Sequence, residues 1–296
     1  MGIQMIAFSP IDSRVLATAS LDKTICTWNL TDKQKVTGPR RRLVGHTDKV
    51  NSVLWSPDGL HLFSGSIDRT IRKWDVLSGE CVFVTEALHT DMVSPVTHTP
   101  DGKYIASGGK DACIYIWDSR TGKKVMGPLT DHKKFVTALA YSPDGRYLVS
   151  GSWDTTIIVW DARTGEKLFG PLNAHSKGVR CISFDPTGES FVTSSTDGTI
   201  SIWNTNTFEP IHEHLRAHGN SIISVQYSPD GRFILTGSKD QTVKVWDAKT
   251  AKVVSEPAIH EWDVWTISFS HDGRWVASGG KGGGARILKV NESGVS

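Results

Sequence analysis

Residues 135–172 read FVTALAYSPDGRYLVSGSWDTTIIVWDARTGEKLFGPL, and this stretch decides the fold. Residues 135–141 form a short apolar run. Ser142-Pro143-Asp144-Gly145 follows, a turn in which proline fixes φ and glycine accepts positive φ. Residues 147–152 make a second strand, Trp153-Asp154-Thr155 a second turn and residues 156–160 a third strand. Arg163-Thr164-Gly165 then turns the chain into a fourth strand at 167–172. Four short strands joined by tight turns predict one antiparallel sheet.

The pattern recurs on both sides of this stretch. Tryptophans followed by Asp or Asn stand at Trp28, Trp74, Trp117, Trp160, Trp203 and Trp246, spaced by 46 and then four times by 43 residues, and a seventh unit ends at Leu288, 42 residues on. A fixed period of this length is the mark of a repeat architecture. Relative to the Asp of the turn before each third strand, a His lies 22 residues earlier, a Ser or Thr four earlier and a Trp six later. Five units carry all four: His46, Ser64, Asp68, Trp74; His89, Ser107, Asp111, Trp117; His132, Ser150, Asp154, Trp160; His175, Thr193, Asp197, Trp203; and His218, Thr236, Asp240, Trp246.

These residues resemble the WD-repeat family, whose repeats run about 40–45 residues with Trp-Asp at the end. The resemblance covers nearly the whole chain. It implies an all-β, seven-bladed β-propeller as a single domain over residues 1–296, each unit forming one blade and neighbouring blades burying each other's apolar faces.

A recurring Ser, His and Asp also invites a hydrolase reading. A catalytic set is needed once, however, whereas five copies at the same places in five units describe scaffold. In WD-repeat proteins the similar set is a buried chain of hydrogen bonds from Trp through Ser or Thr and His to Asp. A buried indole N–H needs an acceptor, and a hydroxyl can accept from it while donating to His. No catalytic residue is therefore assigned.

The end units depart from the pattern. Unit one has Thr18, Asp22 and Trp28 but starts too late for its His; unit seven has His260 and Ser278, with Gly282 in place of Asp and Leu288 in place of Trp. In the family the outermost strand of the last blade usually comes from the N-terminus, yet only Met1 and Gly2 precede the first inner strand. Six four-stranded blades and a last blade lacking its outer strand are expected, closed by side-chain packing between the first and last blades. An open edge near residues 287–290 would invite pairing with another strand; the alternative is a longer parent chain that supplies the missing strand.

Composition narrows the function. Lys plus Arg is 33 and Asp plus Glu 31, a net charge of +2, which argues against whole-molecule attraction to nucleic acid or membrane. No apolar stretch approaches the ~20 residues that span a bilayer as a helix. A strand-like segment follows Met1 directly, so no secretory signal is expected. Cys26, Cys81, Cys113 and Cys181 are scattered without a CxxC pair, which fits a reducing, cytoplasmic or nuclear home. His212 and His214 alternate onto one face of a strand, but no third ligand is evident and no metal site is expected. Arg40-Arg41-Arg42 lies on an outer strand, where charge guards an edge. The glycine run at 279–284 leads into a strand, not the helix that phosphate cradling requires, and reads as a turn. No cofactor is expected.

Positions that differ between units are free to specify a partner. The resemblance points to one rim of the central channel, formed by the connections after each His and those before each third strand. Just before the inner strands stand Lys49, Met92, Phe135, Gly178, Ser221 and Asp263; two residues further on come Gln4, Asn51, Ser94, Thr137, Arg180, Ile223 and Trp265; before the turn Asp come Leu21, Ile67, Lys110, Trp153, Thr196 and Lys239, with Lys281 in unit seven. Lys49, Ile67, Met92, Lys110, Phe135, Trp153, Arg180, Ile223, Lys239, Asp263 and Trp265 make the candidate binding rim, which suits a protein or peptide ligand with apolar anchors and acidic or phosphorylated groups.

A narrower resemblance lies in Gly127-Pro128-Leu129 with His132 and Gly170-Pro171-Leu172 with His175. These are similar to the repeat arrays of fungal NACHT-type signalling ATPases, where the resemblance implies a ligand sensor; no ATPase module is present in this sequence. The favoured function is a non-catalytic interaction scaffold or ligand-sensing propeller. Two alternatives belong to other classes. An enzyme using the channel would need convergent carboxylates or a metal at one channel mouth, with Glu261 and Asp263, both in one loop, the nearest candidates; an RNA-associated assembly factor would need a continuous basic stripe.

Overall fold

The computed structural model describes residues 2–31, 36–291 and 294–295, and every regular element among them is a β-strand. The strands form seven antiparallel sheets, each built from strands consecutive in sequence. In blade four these are Val136–Tyr141, Tyr147–Ser152, Thr156–Asp161 and Lys167–Asn173. Six blades have four full strands. Blade seven has three, Val264–Phe269, Trp275–Gly280 and Ala285–Asn291, and only the two-residue Gly294–Val295 returns beside the third.

Each blade is a wedge, because its strands alternate between two faces and both faces are covered by neighbouring blades. Val149, Ile157 and Val159 of blade four pack with Val179, Ile182, Phe191 and Trp203 of blade five. Each such fully buried side chain contributes about 1.5–3 kcal/mol. The fit is close enough to dictate glycine at one point: a Cβ on Gly151 would come within 2.5 Å of Cγ1 of Val179.

Among the described residues the ring closes without a shared strand. Ile3, Ile6, Phe8 and Leu16 of blade one pack with Ala277 of blade seven, flanked by Trp28, Trp275 and Ile287. Hydrogen bonds reinforce this seam: the backbone N–H of Ile6 donates to Thr266 Oγ1 at 2.9 Å, that of Phe8 to Ser268 Oγ at 3.3 Å, and that of Asp272 to Ser13 Oγ at 3.3 Å. The Arg run lies on the outer strand Val36–Val44 of blade one, its three side chains exposed.

The seven inner strands surround one channel of about 1020 Å³. Near its start each inner strand carries a β-bulge opposite the second strand. In blade five Val179 faces Ser195 and Cys181 faces Ser194, leaving Arg180 as the extra residue. The same irregularity falls at Gln4, Asn51, Thr137, Ile223 and Trp265, and at Ser94 and Pro95 in blade three. A bulge re-aims a side chain, and here it turns one variable residue per blade into the channel.

Candidate functional site

The recurring polar residues are held inside the blades. In blade four the Trp160 indole N–H donates to Ser150 Oγ at 2.8 Å; Ser150 Oγ lies 2.8 Å from His132 Nε2, and His132 Nδ1 lies 3.0 Å from Asp154. The carboxylate can only accept, so His carries a proton on Nδ1 and donates it to Asp154; in the neutral ring Nε2 then accepts from the Ser150 hydroxyl, which accepts in turn from the indole. Blades two, three and six repeat this chain: His lies 2.7–2.9 Å from Ser64, Ser107 or Thr236, and 2.7–3.0 Å from the nearer Asp oxygen. These hydroxyls are buried between Trp and His, leaving no access for a substrate. Burial would raise the Asp68 carboxyl, but hydrogen bonds from His46, Thr70 and Thr47 outweigh it and hold it well below the usual carboxylate range.

Blade five modifies the chain. His175 Nδ1 lies 2.8 Å from Thr199 Oγ1 and 3.7 Å from Asp197, while Thr199 donates its hydroxyl to Asp197 at 2.6 Å. Thr199 thus relays between them. His214 stands beside this group, and one donor atom each of His175, Asp197 and His214 lies within 4.8 Å of the others. The structure joins His214 to His175 rather than to His212, which pairs opposite Ile202. Asp197 and His175 are already hydrogen-bonded to Ser176, Thr199 and Thr193.

The end blades improvise. In blade one the Trp28 N–H still reaches Thr18 Oγ1 at 2.9 Å, and Arg42 of the outer strand comes within 3.4 Å of Asp22, placing a cation beside that carboxylate. In blade seven His260 Nε2 meets Ser278 at 3.0 Å, but its Nδ1 is buried without a partner among the described residues. Burial, with Arg286 adding to it, pushes the His260 pKa down to about 4. The missing carboxylate has a steric reason that the sequence reading overlooked. The Trp262 indole occupies the space: a Cβ on Gly282 would come within 2.5 Å of it, and one on Gly284 within 3.2 Å. The glycine run is therefore a turn shaped around Trp262. Its sequence signal was Trp262 itself, two residues after the blade's His.

The candidate rim residues come together as a repeated unit. The backbone N–H of Ile67 donates to the carbonyl of Lys49, Lys110 to Met92, Trp153 to Phe135, Thr196 to Gly178, Lys239 to Ser221 and Lys281 to Asp263, at 2.9–3.3 Å. Each of these blades so presents two variable positions side by side, one of them the glycine Gly178 in blade five, with the bulge residue lining the channel. Gln4, Asn51, Ser94, Thr137, Arg180, Ile223 and Trp265 all line the channel, and Lys239 reaches its mouth. Lys49, Ile67, Met92, Lys110, Phe135, Trp153 and Asp263 stand outside it on the rim, and Glu261 is exposed elsewhere. Trp153 is 47% exposed yet fixed beneath, since a Cβ on Gly178 would come within 3.2 Å of its Cγ. This contact sets Trp153 against Gly178, which precedes Arg180 by two residues, across a blade boundary. Lys110 pairs with Asp91 at 3.1 Å.

A single-chain ring of seven such blades, with rim and channel open to a partner, defines a repeat propeller, and sequence comparison agrees. The family profile described as WD domain, G-beta repeat matches residues 37–75, 79–118, 123–161, 166–204, 208–247 and 252–288. The chain belongs to the WD-repeat family. It is similar to the small ribosomal subunit protein RACK1 of Medicago sativa, 48% identical over 73 residues that cover 24% of this chain and 22% of that protein. The Drosophila melanogaster protein of the same name is 40% identical over 80 residues, 26% and 25% of the two chains. Cross-pathway control WD-repeat protein 2 of Flammulina velutipes is 41% identical over 78 residues, again 26% and 25%. The matched stretch spans about a quarter of each relative's length.

Proposed function

We infer that this chain is a non-catalytic protein-interaction scaffold that binds a protein or peptide segment across the rim and mouth of its channel, in the cytoplasm. One observation carries this reading: the same bulge and the same rim hydrogen bond recur around the ring while the side chains they present differ in almost every blade. Fixed support with variable presentation is what a specific binding surface needs. Trp153 and Phe135 offer apolar anchors of the kind that dominate interface energetics, and the Ser–His–Asp sets are engaged with tryptophan rather than with the surface.

Selection of a random peptide library on the full chain, with the double variant Trp153→Ala/Phe135→Ala as counter-target, tests this. Selected peptides are expected to bind the unaltered chain and lose at least tenfold in affinity for the variant at unchanged melting temperature. Equal affinity for both would place binding elsewhere. The name of the Medicago sativa and Drosophila melanogaster relatives attaches those two to the small ribosomal subunit, which favours ribosome association as a second reading; co-sedimentation of the chain with small subunits at low and high salt tests it.

A further inference from the structure

Arg180 is a bulge residue of the channel wall whose charge meets no acidic side chain among the described residues that line the channel. In blades two and four the bulge side chain is used by the ring itself: Asn51 Nδ2 donates to the carbonyl of Val93, and the Thr137 hydroxyl to that of Val179, each the first residue of the next inner strand. Ile223 and Trp265 are apolar. Arg180 follows Val179, yet its Nε is buried with no hydrogen-bond partner among the described residues. Among the residues that line the channel there is no Asp and no Glu, while Lys239 adds a second cation at the mouth. The side chain is half-buried, its Nε enclosed in the wall while the residue lines the channel, and this burial lowers the Arg180 pKa from its ordinary value. A buried Nε–H left unpaired is costly to the fold until an acceptor meets it.

We propose that the channel mouth at Arg180 is an oxyanion site that receives an acidic side chain, carboxylate or phosphate, from the bound partner segment. This rests on the rim reading above. The geometry suits it: a guanidinium offers a planar fork of donors to an oxyanion, Lys239 reinforces the field, and Trp153, resting on Gly178, walls the entry for the neighbouring part of the segment. Asp263, the acidic member of the rim, stands outside the channel and leaves the cations free.

The test is thermal melting of the full chain in inorganic phosphate or acetate, with sodium chloride balancing ionic strength so that screening is constant. The chain, Arg180→Gln and the surface control Arg146→Gln are compared. The unaltered chain and the control should show a saturable rise of about 2–4 °C at ten times the dissociation constant. Arg180→Gln should melt no lower than the unaltered chain without anion and show no saturable rise. A response to acetate as well as phosphate assigns a carboxylate; a response to phosphate alone assigns a phosphorylated residue. An equal rise in Arg180→Gln, or no saturable rise in the unaltered chain, overturns the proposal. Should Arg180→Gln fail to fold, the 15N-detected Nε–H signal of Arg180, assigned with Arg180→Lys, decides: it moves on phosphate addition, or the proposal falls. Library peptides sensitive to Trp153→Ala/Phe135→Ala but indifferent to Arg180→Gln would overturn this site and leave the rim standing; insensitivity to the rim variant would remove the rim reading itself.

Discussion

Ile6 gives its backbone N–H to the hydroxyl of Thr266 across 2.9 Å, joining the inner strand of the first blade to that of the last. Among the described residues no strand is shared across this seam, so the bond belongs to ring closure. Thr266→Val keeps the shape and removes the acceptor, leaving a buried N–H unpaired at a cost of about 1–3 kcal/mol. The expected outcome is a lower melting temperature with faster hydrogen exchange at Ile6. Thr266→Ser should behave like the unaltered chain, and equal stability of the Val variant would mean that packing alone closes the ring.

Ser150 links Trp160 to His132 within blade four. Ser150→Ala strands the indole N–H and the imidazole Nε2 together, at about 1–3 kcal/mol for each buried group. Chemical denaturation should show this loss, while binding of a rim-selected peptide to the folded protein stays within twofold. A stability change below about 0.5 kcal/mol would contradict a buried, satisfied chain of hydrogen bonds.

Blade seven predicts an epistatic pair. Gly282→Asp restores the residue type of the other blades but collides with the Trp262 indole, so alone it should lower the melting temperature. Adding Trp262→Lys, the residue type found at the matching position of blade four, Lys134, frees the space and lets the new carboxylate meet His260 Nδ1. The double variant should melt above the single one; if it melts lower still, the indole does not fill the carboxylate's place.

Acid should weaken the fold in a defined window. Burial lowers the His175 and His260 pKa values to about 4, against roughly 6.5 in an unfolded chain. Between these values the unfolded chain binds a proton at each site and the folded chain does not, so stability falls as pH drops from about 6.5 to about 4. Below that the two histidines add no further loss. The low-lying carboxylates such as Asp68 contribute their own loss only as pH falls from the ordinary carboxylate value toward their folded values. Melting temperatures across pH 7.5 to 4 should decline, and more shallowly in His260→Gln; a flat profile would contradict buried neutral histidines.

Period, turns and spacing made the blades legible, since Trp160 and Asp154 repeat at fixed offsets wherever the same hydrogen bonds must be built. The rim positions were legible for the same reason: the residues preceding each turn Asp and each inner strand occur at constant distances, although their pairing through bonds such as Trp153 to Phe135 depends on backbone approach that spacing does not reveal. The bulge that directs Arg180 into the channel left no local mark, because Gln4, Thr137 and Trp265 share its geometry without sharing chemistry. Substitutions that compensate one another in space were hidden as well. Arg42 answers Asp22 from another strand, Thr199 intervenes between His175 and Asp197, and Trp262 displaces a carboxylate. Each is a contact between residues that only the folded blade brings together.

The central claim is that a fixed scaffold presents a variable rim and channel mouth to a partner segment. Hydrogen exchange of the full chain with and without a library-selected peptide tests it most directly. Protection concentrated in the rim connections, at the amides of Lys110, Trp153 and Lys239 and the first residues of the inner strands, is the predicted result. Protection confined to the outer strands, such as Lys167–Asn173 or Lys252–Ile259, would contradict it.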